Sequence, residues 1–479
     1  MDEIDHTAVI AVRKTAMTRT EMLIADIRSQ IIGGALSAGE RLPSVRCYAA
    51  KMQVSPSTVV EAYERLAATG MIRARRGAGF FVTGSHQPPL NLVEKNVDYQ
   101  RDVDPFWVSR QALDADRDVL KPGCGWLPAD WMPVEALRKA MRQLARSDAS
   151  LLCDYGTTRG ATALRRLLLA RFASEGLTTP MEQIMLTGSG TQALDLICRF
   201  LLRPGDTVLV DDPCYFNFQA LLRAHQVTIV GVPFTPTGPD VAVFESVLSQ
   251  SRPRLYITNS ALHNPTGASL SPQTAWRLLN AAREHDLIIV EDDIFAEFEP
   301  ELSSRLAIPD GLERVIRMGS FSKTLSASVR CGYIACRPEW IEGLTDLQIA
   351  TSFGGPSPMT TQLLAAVLSG GSYRKHLDEV VRRLSKARKD AVERLAALGI
   401  TPWLVPRGGF YLWCRLPAGL DSTEIARRCR LHNVVLAPGN VFSVSQSAGE
   451  FLRFNVAHLS DERVYSVLKE VMAACSAGD

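Results

Sequence analysis

Residues 315–324 read VIRMGSFSKT and decide the fold of most of this chain. An apolar strand ends there in a loop of small and hydroxyl residues around Lys323. The chain has ten lysines against 43 arginines, so a lysine in a loop with few other charges is informative. A lysine shielded from water has a lowered pKa and can act as an amine nucleophile. Arg330, seven residues further on, can bind a phosphate through two parallel hydrogen bonds.

Three other segments place polar groups at predicted strand ends. Residues 184–194, IMLTGSGTQAL, predict a strand, a small-residue turn and a helix, whose first N–H groups can hold a phosphate. Residues 287–293, LIIVEDD, end a strand in three acids, one of which can pair with a protonated ring nitrogen. Residues 263–267, HNPTG, form a rigid turn that carries the amide of Asn264. Taken singly, the first segment also fits a plain turn, and the second also fits a helix-capping cluster.

From about residue 120 onward, short apolar strands alternate with amphipathic helical stretches. The predicted strands are 207–211, 227–232, 254–258, 287–291 and 315–319. This alternation is typical of an α/β domain with a mainly parallel sheet. Ligands of such sheets bind at the carboxyl ends of the strands.

Positive charge is concentrated near the N-terminus, although the whole chain carries only +2. Residues 11–84 contain 11 Lys/Arg against 5 Asp/Glu, the first ten residues contain three acids and no base, and the remainder is nearly neutral. A small basic block joined to a neutral body is typical of a nucleic-acid-binding module. The low total excludes a generally basic protein that coats nucleic acid.

The basic block has the pattern of a winged helix-turn-helix. Apolar periodicity predicts helices over 19–32 and 45–52, and Ser55 and Pro56 begin a third helix that ends near Gly70. Residues 71–82, MIRARRGAGFFV, predict two strands around a glycine turn. Hydroxyls at a helix N-terminus suit a major groove, and hairpin arginines attract phosphates. The alternative is a three-helix module that binds protein.

Residues 39–82, GERLPSVRCYAAKMQVSPSTVVEAYERLAATGMIRARRGAGFFV, resemble the DNA-binding signature of the GntR family. The chain departs from that family at Pro56 and Val60, where basic residues are common, so base readout is expected to depend more on hydroxyls and the wing. The resemblance, together with the basic hairpin, implies DNA contacts from Arg46, Ser55, Ser57, Thr58, Arg73, Arg75, Arg76 and Gly77.

Taken together, the four segments of the larger part resemble the fold type I pyridoxal-phosphate enzymes of the aminotransferase class I family, over about 350 residues. The resemblance implies that Lys323 forms a Schiff base with pyridoxal phosphate and that Asp292 keeps the pyridine nitrogen protonated. It implies Asn264 on the ring hydroxyl, Tyr215 on the ring face and Arg453 on the α-carboxylate of an amino acid. It also implies that the phosphate is held by Gly190, Thr191, Gln192, Ser320, Ser322 and Arg330, with Tyr155 from the neighbouring subunit.

One departure from that family concerns the group that tunes the ring. The family usually has a tyrosine close behind the strand-end acid, with its phenol on the ring hydroxyl. Here Asp292 is followed by Asp293, Ile294 and Phe295, and a phenylalanine cannot donate a hydrogen bond. We therefore expect cofactor binding to be retained and fast turnover to be impaired.

The resemblances imply a winged-helix domain at 15–84, a linker at 85–118 and a pyridoxal-phosphate-type domain at 119–479. A small α+β subdomain is expected from about residue 375. The linker assignment depends on Pro88, Pro89 and the charged stretch 94–104; the alternative is that this region already belongs to the large domain. The predicted fold class is a winged helix joined to a large α/β domain of fold type I.

The composition also bears on location and metal binding. The first residues, MDEIDHTAVI, are acidic and lack the pattern of a signal peptide, and no run of 18 apolar residues predicts a membrane span. Ten cysteines are scattered without a C-x-x-C pair, so neither a zinc site nor a disulfide framework is expected. We expect a cytoplasmic protein with no metal and no membrane partner.

A GntR-type winged helix joined to a fold type I domain resembles the MocR subfamily of bacterial transcription regulators. This implies a homodimer that binds double-stranded promoter DNA and senses pyridoxal phosphate or its adduct with an amino acid or amine. A second hypothesis is a genuine aminotransferase with a 2-oxo acid acceptor, similar to aminoadipate or kynurenine aminotransferases. A third, a structural use of a degenerate fold, is disfavoured by the intact Lys323, Asp292, Asn264 and Arg330.

Overall fold

A computed structural model of the chain describes residues 18–32, 35–37, 39–75, 77–83, 103–116 and 118–476. The chain divides into two compact units, Met1–Gln100 and Arg101–Asp479. Each unit has its own hydrophobic core.

The N-terminal unit is a three-helix domain with a hairpin. Ser44 caps α2 through the backbone N–H of Cys47, and Ser55 caps α3 with Pro56 in its first turn. A core that includes the fully buried Tyr63 holds the helices together. The predicted winged helix is therefore confirmed, with elements α1 (Arg19–Ile32), α2 (Val45–Met52), α3 (Pro56–Ala68), β1 (Ile72–Arg75) and β2 (Gly79–Val82).

The large unit contains one helix-covered sheet and one smaller sheet. Its helices are α4 (Pro105–Leu113), α5 (Val134–Leu144), α6 (Ala149–Cys153), α7 (Thr162–Ser174), α8 (Gly190–Leu201), α9 (Phe216–Ala224), α10 (Val241–Ser251), α11 (Pro272–Glu284), α12 (Ala307–Asp310), α13 (Pro338–Ser352), α14 (Pro358–Leu368), α15 (Ser372–Ala396), α16 (Ser422–Leu431) and α17 (Glu462–Ser476). Its strands are β3 (Ile184–Thr187), β4 (Thr207–Asp212), β5 (Thr228–Thr235), β6 (Gly238–Pro239), β7 (Leu255–Thr258), β8 (Ile288–Asp292), β9 (Val315–Ser320), β10 (Gly332–Ala335), β11 (Thr401–Pro402), β12 (Tyr411–Arg415), β13 (Ala437–Pro438) and β14 (Phe451–Asn455).

The main sheet has the strand order β3-β10-β9-β8-β7-β4-β5-β6. Strands β9, β8, β7, β4 and β5 run parallel, and β10 is antiparallel to both of its neighbours. Both faces of the sheet are buried, because Ile289 packs in one apolar core while Ile288 and Val290 pack in the other. The five strands predicted from the sequence form this parallel part, so their carboxyl ends share one edge.

The smaller sheet has the order β11-β12-β14-β13 and is antiparallel. It packs with α15, α16 and α17 into a separate core, which matches the predicted C-terminal α+β subdomain. That core also takes up Leu127 and Phe298, which are distant in sequence.

The described part of the predicted linker is folded onto the large unit. Asp104 caps α4 by accepting a hydrogen bond from the Trp107 N–H at 2.6 Å, and Val108 is buried. Leu120 then exchanges backbone hydrogen bonds with Asn433 and Val435, at 2.9 and 2.8 Å. The connection between the units is therefore shorter than the predicted 85–118, and residues 84–102 lie outside the described residues.

Two negative findings concern the described residues. None of their helices is long and apolar enough to cross a membrane. The ten cysteines, all within the described ranges, form no disulfide.

Candidate functional site

A cavity of about 330 Å³ lies where the carboxyl ends of the parallel strands face the smaller sheet. Its walls come from the loops after β3, β4, β7, β8 and β9, and from β12 and β14. It brings together most of the residues predicted to bind the cofactor or an amino acid: Gly190, Thr191, Tyr215, Asn264, Asp292, Ser320, Ser322, Lys323, Arg330 and Arg453.

Lys323 extends into this cavity from the loop after β9. Its Nζ donates a hydrogen bond to the backbone oxygen of Gly125 at 2.6 Å. Burial, which removes the hydration of the ammonium, and the positive charge of Arg453 together lower the pKa of Lys323 to about 8. The lowered pKa makes the neutral, nucleophilic amine of Lys323 more abundant near neutral pH than that of an ordinary lysine.

The three acids at the end of β8 have three different environments. Glu291 accepts the backbone N–H groups of Leu306 and Ala307, at 2.7 and 2.9 Å, so the helix-capping alternative holds for this residue. Asp293 forms buried ion pairs with Arg305 and Arg317.

Asp292 is the acid that lines the cavity. Its Oδ1 accepts the backbone N–H of Ile294 at 3.2 Å, and no ion pair to it is found among the described residues. Burial raises the pKa of Asp292 to about 7, because the carboxylate is removed from water. A buried carboxyl group without a cationic partner is a suitable acceptor for a protonated ring nitrogen.

The predicted phosphate end combines a helix N-terminus with a guanidinium. Helix α8 begins at Gly190, and its first-turn N–H groups lack intrahelical acceptors. Ser320 lies close to this turn, since a Cβ at Gly190 would be 3.4 Å from the Cβ of Ser320. Arg330 is exposed and forms no ion pair within the described part of the chain.

Gln192 does not line the cavity, contrary to the sequence prediction. Its side chain turns back to accept the N–H of Gly188 and to donate to Ser352 Oγ at 3.1 Å. Its backbone N–H is used by the helix cap Ser189 at 3.0 Å. The side chain and the backbone N–H of Gln192 are therefore already engaged within the protein, at Gly188, Ser189 and Ser352.

Arg453 is a buried guanidinium that faces the cavity from β14. It is 1% exposed and donates to Asn264 Oδ1 at 2.9 Å and to the Gly123 oxygen at 2.7 Å, and its Nε has no partner within the described part of the chain. No carboxylate pairs with it among the described residues. A buried charge without a counter-ion is unfavourable, so this position favours an anion. The guanidinium also lies 4.3–6.0 Å from the ring centres of Tyr411, Phe442 and Phe216.

Tyr155 lies outside the cavity of its own chain. It is 79% exposed and packs edge-on against Phe353, with 4.9 Å between ring centres. Its exposed ring is therefore available for the predicted contact with a neighbouring subunit.

Sequence reasoning missed several parts of the cavity wall, including the segment 123–126. Two further parts contact the predicted site residues. One is α4, which contributes Val108, Ser109 and Ala112. The other is Tyr411 on β12, whose hydroxyl donates to the same Gly125 oxygen as Lys323, at 3.3 Å. A signal existed for Tyr411, since Gly408-Gly409-Phe410-Tyr411 places an aromatic strand start behind two glycines.

The predicted DNA-contacting residues lie on the N-terminal unit. Ser55 Oγ is 2.7 Å from both Ser57 Oγ and Thr58 Oγ1, so the three hydroxyls form one cluster at the start of α3. Arg46 is exposed on α2, Arg73 and Arg75 are exposed on β1, and Gly77 adopts a φ of +76° in the hairpin turn. Arg76 lies outside the described residues.

The large unit has an aminotransferase-type architecture, with a lysine and an acid at strand ends of a sheet that is buried on both faces. A helix-turn-helix domain precedes it in the chain. The chain belongs to the family "Aminotransferase class I and II", whose model matches residues 127–471. Residues 19–82 match the family "Bacterial regulatory proteins, gntR family". This combination is the MocR type of regulator, and it carries a DNA-binding domain.

Known proteins resemble this chain in two ways. The uncharacterised HTH-type transcriptional regulator YdcR of Escherichia coli is 27% identical over 95% of this chain and 98% of its own length. The 2-aminoadipate transaminase of Thermus thermophilus is 30% identical over 73% of this chain and 90% of its own length.

A solved structure gives the same picture. LysN, an α-aminoadipate aminotransferase from Thermus thermophilus in complex with N-(5'-phosphopyridoxyl)-L-leucine, has a TM-score of 0.69 and 26% identity. The match covers 78% of this chain and 96% of LysN. Resemblance along the whole chain is thus to a transcriptional regulator, whereas the enzymes match the large unit. The predicted regulator is confirmed, and the aminotransferase is the weaker alternative.

Proposed function

We propose that this protein is a transcription regulator whose large unit binds pyridoxal phosphate covalently through Lys323 and responds to an amino acid or amine. The observation that carries the proposal is the single cavity that holds Lys323, Asp292, Arg330 and Arg453. The same chain contains a GntR-type DNA-binding domain, so binding of a ligand in the cavity can regulate binding of DNA.

The residues present fit the cofactor at both of its ends. The carboxyl group of Asp292 has no cationic partner among the described residues and can accept a hydrogen bond from a pyridinium N–H. Arg330 together with the α8 N-terminus suits a dianionic phosphate. When bound, the cofactor supplies an electrophilic carbon and an electron-withdrawing ring. Lys323 holds the group covalently, Asn264 can donate from its free amide nitrogen, and Tyr215 borders the ring side of the cavity.

An amino acid is the ligand class that Arg453 favours. Its guanidinium is buried, has no carboxylate partner in the described residues and keeps its Nε unused. An α-carboxylate would provide that partner and would compete with the Asn264 and Gly123 oxygens for its N–H groups. The amine of the same ligand would lie next to Lys323, where it would compete with the lysine nitrogen for the electrophilic carbon of the cofactor.

Helix α4 gives the cavity a physical connection to the rest of the chain. It is the first element after residues 84–102, and it lines the cavity with Val108, Ser109 and Ala112. Val108 also packs in one cluster with Phe216 and Phe442, two of the rings around Arg453. A ligand that displaces these rings would therefore act on the segment that leads to the DNA-binding unit.

The arginines of the hairpin are proposed to bind DNA phosphates. We expect Arg75→Gln to weaken binding to all sequences alike and to reduce the slope of log affinity against log salt by about 0.9. Fluorescence anisotropy of labelled duplex DNA at several salt concentrations measures both. Arg28→Gln, an exposed arginine on α1, is the matched control. An unchanged slope for Arg75→Gln would contradict the assignment.

We propose a cytoplasmic homodimer formed through an exposed apolar surface. Its members lie around α5, α6 and α14, and two of them are in ring contact with each other. Such an apolar patch is typical of an interface. The patch consists of Met141, Leu152, Tyr155, Phe353 and Met359, exposed by 59, 40, 79, 67 and 41%.

Disrupting this patch is expected to separate the subunits. The variant Tyr155→Ala/Phe353→Asp should elute as one chain of 52.6 kDa, while the wild type has twice that mass by light scattering. Trp276→Asp is the control, because Trp276 is 67% exposed on α11, outside the patch. A double variant that remains dimeric at the same protein concentration as the wild type would refute this interface.

The aminotransferase remains the second candidate, because Lys323, Asp292 and Arg453 together could support catalysis. Incubation of the cofactor-loaded protein with each common amino acid and 2-oxoglutarate distinguishes the two. A regulator is expected to change its absorption spectrum without releasing product. Turnover of roughly 1 per second or faster would favour the enzyme.

A further inference from the structure

Two hydrogen-bond donors converge on one backbone oxygen in the cavity. Lys323 Nζ donates to the Gly125 oxygen at 2.6 Å and Tyr411 Oη donates to the same atom at 3.3 Å. The two donors therefore lie within a few ångströms of each other. A Cβ at Gly125 would approach both, at 3.8 and 3.3 Å, so the glycine leaves room for this arrangement.

The position of Tyr411 next to Lys323 has a chemical consequence. The aldehyde carbon of pyridoxal phosphate, which reacts with a lysine, is attached to a ring carbon next to the one that carries the ring hydroxyl. A phenol close to the lysine nitrogen would therefore be within reach of that hydroxyl when the cofactor is bound. Phe295 contacts Tyr411 edge-on, with 5.4 Å between ring centres, and has no donor of its own.

We propose that Tyr411 donates a hydrogen bond to the ring hydroxyl oxygen of the bound cofactor, and so supplies from β12 the phenol that Phe295 lacks. The inference rests on the proposed cofactor binding. It makes Tyr411 a residue that tunes the cofactor, and it places this function on the smaller sheet. Arg453 lies on the same sheet, in register with Trp413, and its guanidinium is 4.3 Å from the Tyr411 ring centre. The carboxylate-binding and tuning groups would therefore belong to the same sheet.

The expected effect follows from charge on the ring oxygen. A phenol that donates to this oxygen stabilises its negative charge and weakens its hold on the proton of the neighbouring lysine nitrogen. Removing the phenol should raise the pH at which that nitrogen loses its proton, by about one unit for one hydrogen bond. The other titratable or charged groups around Lys323 and Tyr411 are Cys124, Tyr215, Asp292, Arg330 and Arg453, and none of them is altered by the test.

The test is a pH titration of visible absorbance of the dimeric, pyridoxal-phosphate-loaded protein, together with its dissociation constant for the cofactor. We expect Tyr411→Phe to raise the titration midpoint by about one unit and to weaken cofactor binding about fivefold. Tyr465→Phe is the control, because it removes another buried phenol that donates to a backbone carbonyl, that of Leu459, in the same subdomain. Phe295→Tyr in the Tyr411→Phe background should move the midpoint back toward the wild-type value.

The outcomes separate the inference from the proposed function. A wild-type protein without a Lys323-dependent band would overturn both. A wild-type band with an unchanged midpoint and affinity in Tyr411→Phe would overturn this inference alone. Equal shifts in Tyr411→Phe and Tyr465→Phe would show a purely structural role, which also overturns it.

Discussion

Lys323→Ala is expected to abolish covalent attachment of pyridoxal phosphate and with it the visible absorption band of the loaded protein. Lys323 is the only lysine among the residues that line the described cavity, so no second amine there can replace it. Borohydride reduction followed by mass spectrometry measures the attachment directly. The cofactor mass should appear on Lys323 in the wild type and on no residue in the variant.

The rate of attachment should depend on pH in a defined direction. Because the neutral amine is the nucleophile and the pKa of Lys323 is lowered to about 8, the rate should rise with pH and level off above about 8. Lys121→Ala provides the control, since Lys121 is also partly buried and donates to a backbone oxygen, that of Ala115, at 3.1 Å. Full attachment in Lys323→Ala would refute the assignment of the cavity.

Arg453→Gln is expected to weaken amino acid binding by about 100-fold, which corresponds to ~3 kcal/mol. The reason is that a buried guanidinium and a carboxylate form a charge-assisted pair shielded from water. Arg453→Lys should recover only part of the affinity, because an ammonium keeps the charge but loses the planar fork. Spectral titration of the loaded protein with each amino acid gives the dissociation constants.

The matched ligand for this experiment is the amine that corresponds to the amino acid without its carboxylate. Its affinity should be nearly the same for the wild type and Arg453→Gln, since it makes no use of the guanidinium. Equal losses for both ligands would indicate that Arg453 stabilises the cavity through Asn264 and does not bind a carboxylate.

Local sequence patterns predicted the elements of this protein well, because each depends on neighbouring residues. Ser55 before Pro56 marks the start of α3. The continuous apolar run before Glu291 likewise identifies the buried strand that ends at Asp292. The resemblance to known families then identified Lys323, Asn264 and Arg453, which the parallel strands and the smaller sheet bring into one cavity.

What sequence reasoning missed depends on contacts between distant residues. The family resemblance indicated Asp292, but the separate roles of Glu291 and Asp293 depend on the start of α12, Arg305 and Arg317, which are distant in sequence. Helix α4 lies about 200 residues before Lys323 in the sequence, and Tyr411 lies about 90 residues after it. No local sequence pattern connects either of them with Lys323. Gln192 was misassigned because its spacing suits a phosphate-binding turn, whereas its side chain closes that turn onto Gly188.

The central claim is that the cavity controls DNA binding, and the most direct test is DNA affinity as a function of ligand. Duplexes that the protein itself selects from a random pool would be titrated without cofactor, with pyridoxal phosphate, and with each standard amino acid added. We expect at least one condition to change the affinity by about fivefold or more, with a reciprocal change in ligand affinity on DNA, and no response in Lys323→Ala. The same DNA affinity in every condition, or an unaltered response in Lys323→Ala, would contradict the claim.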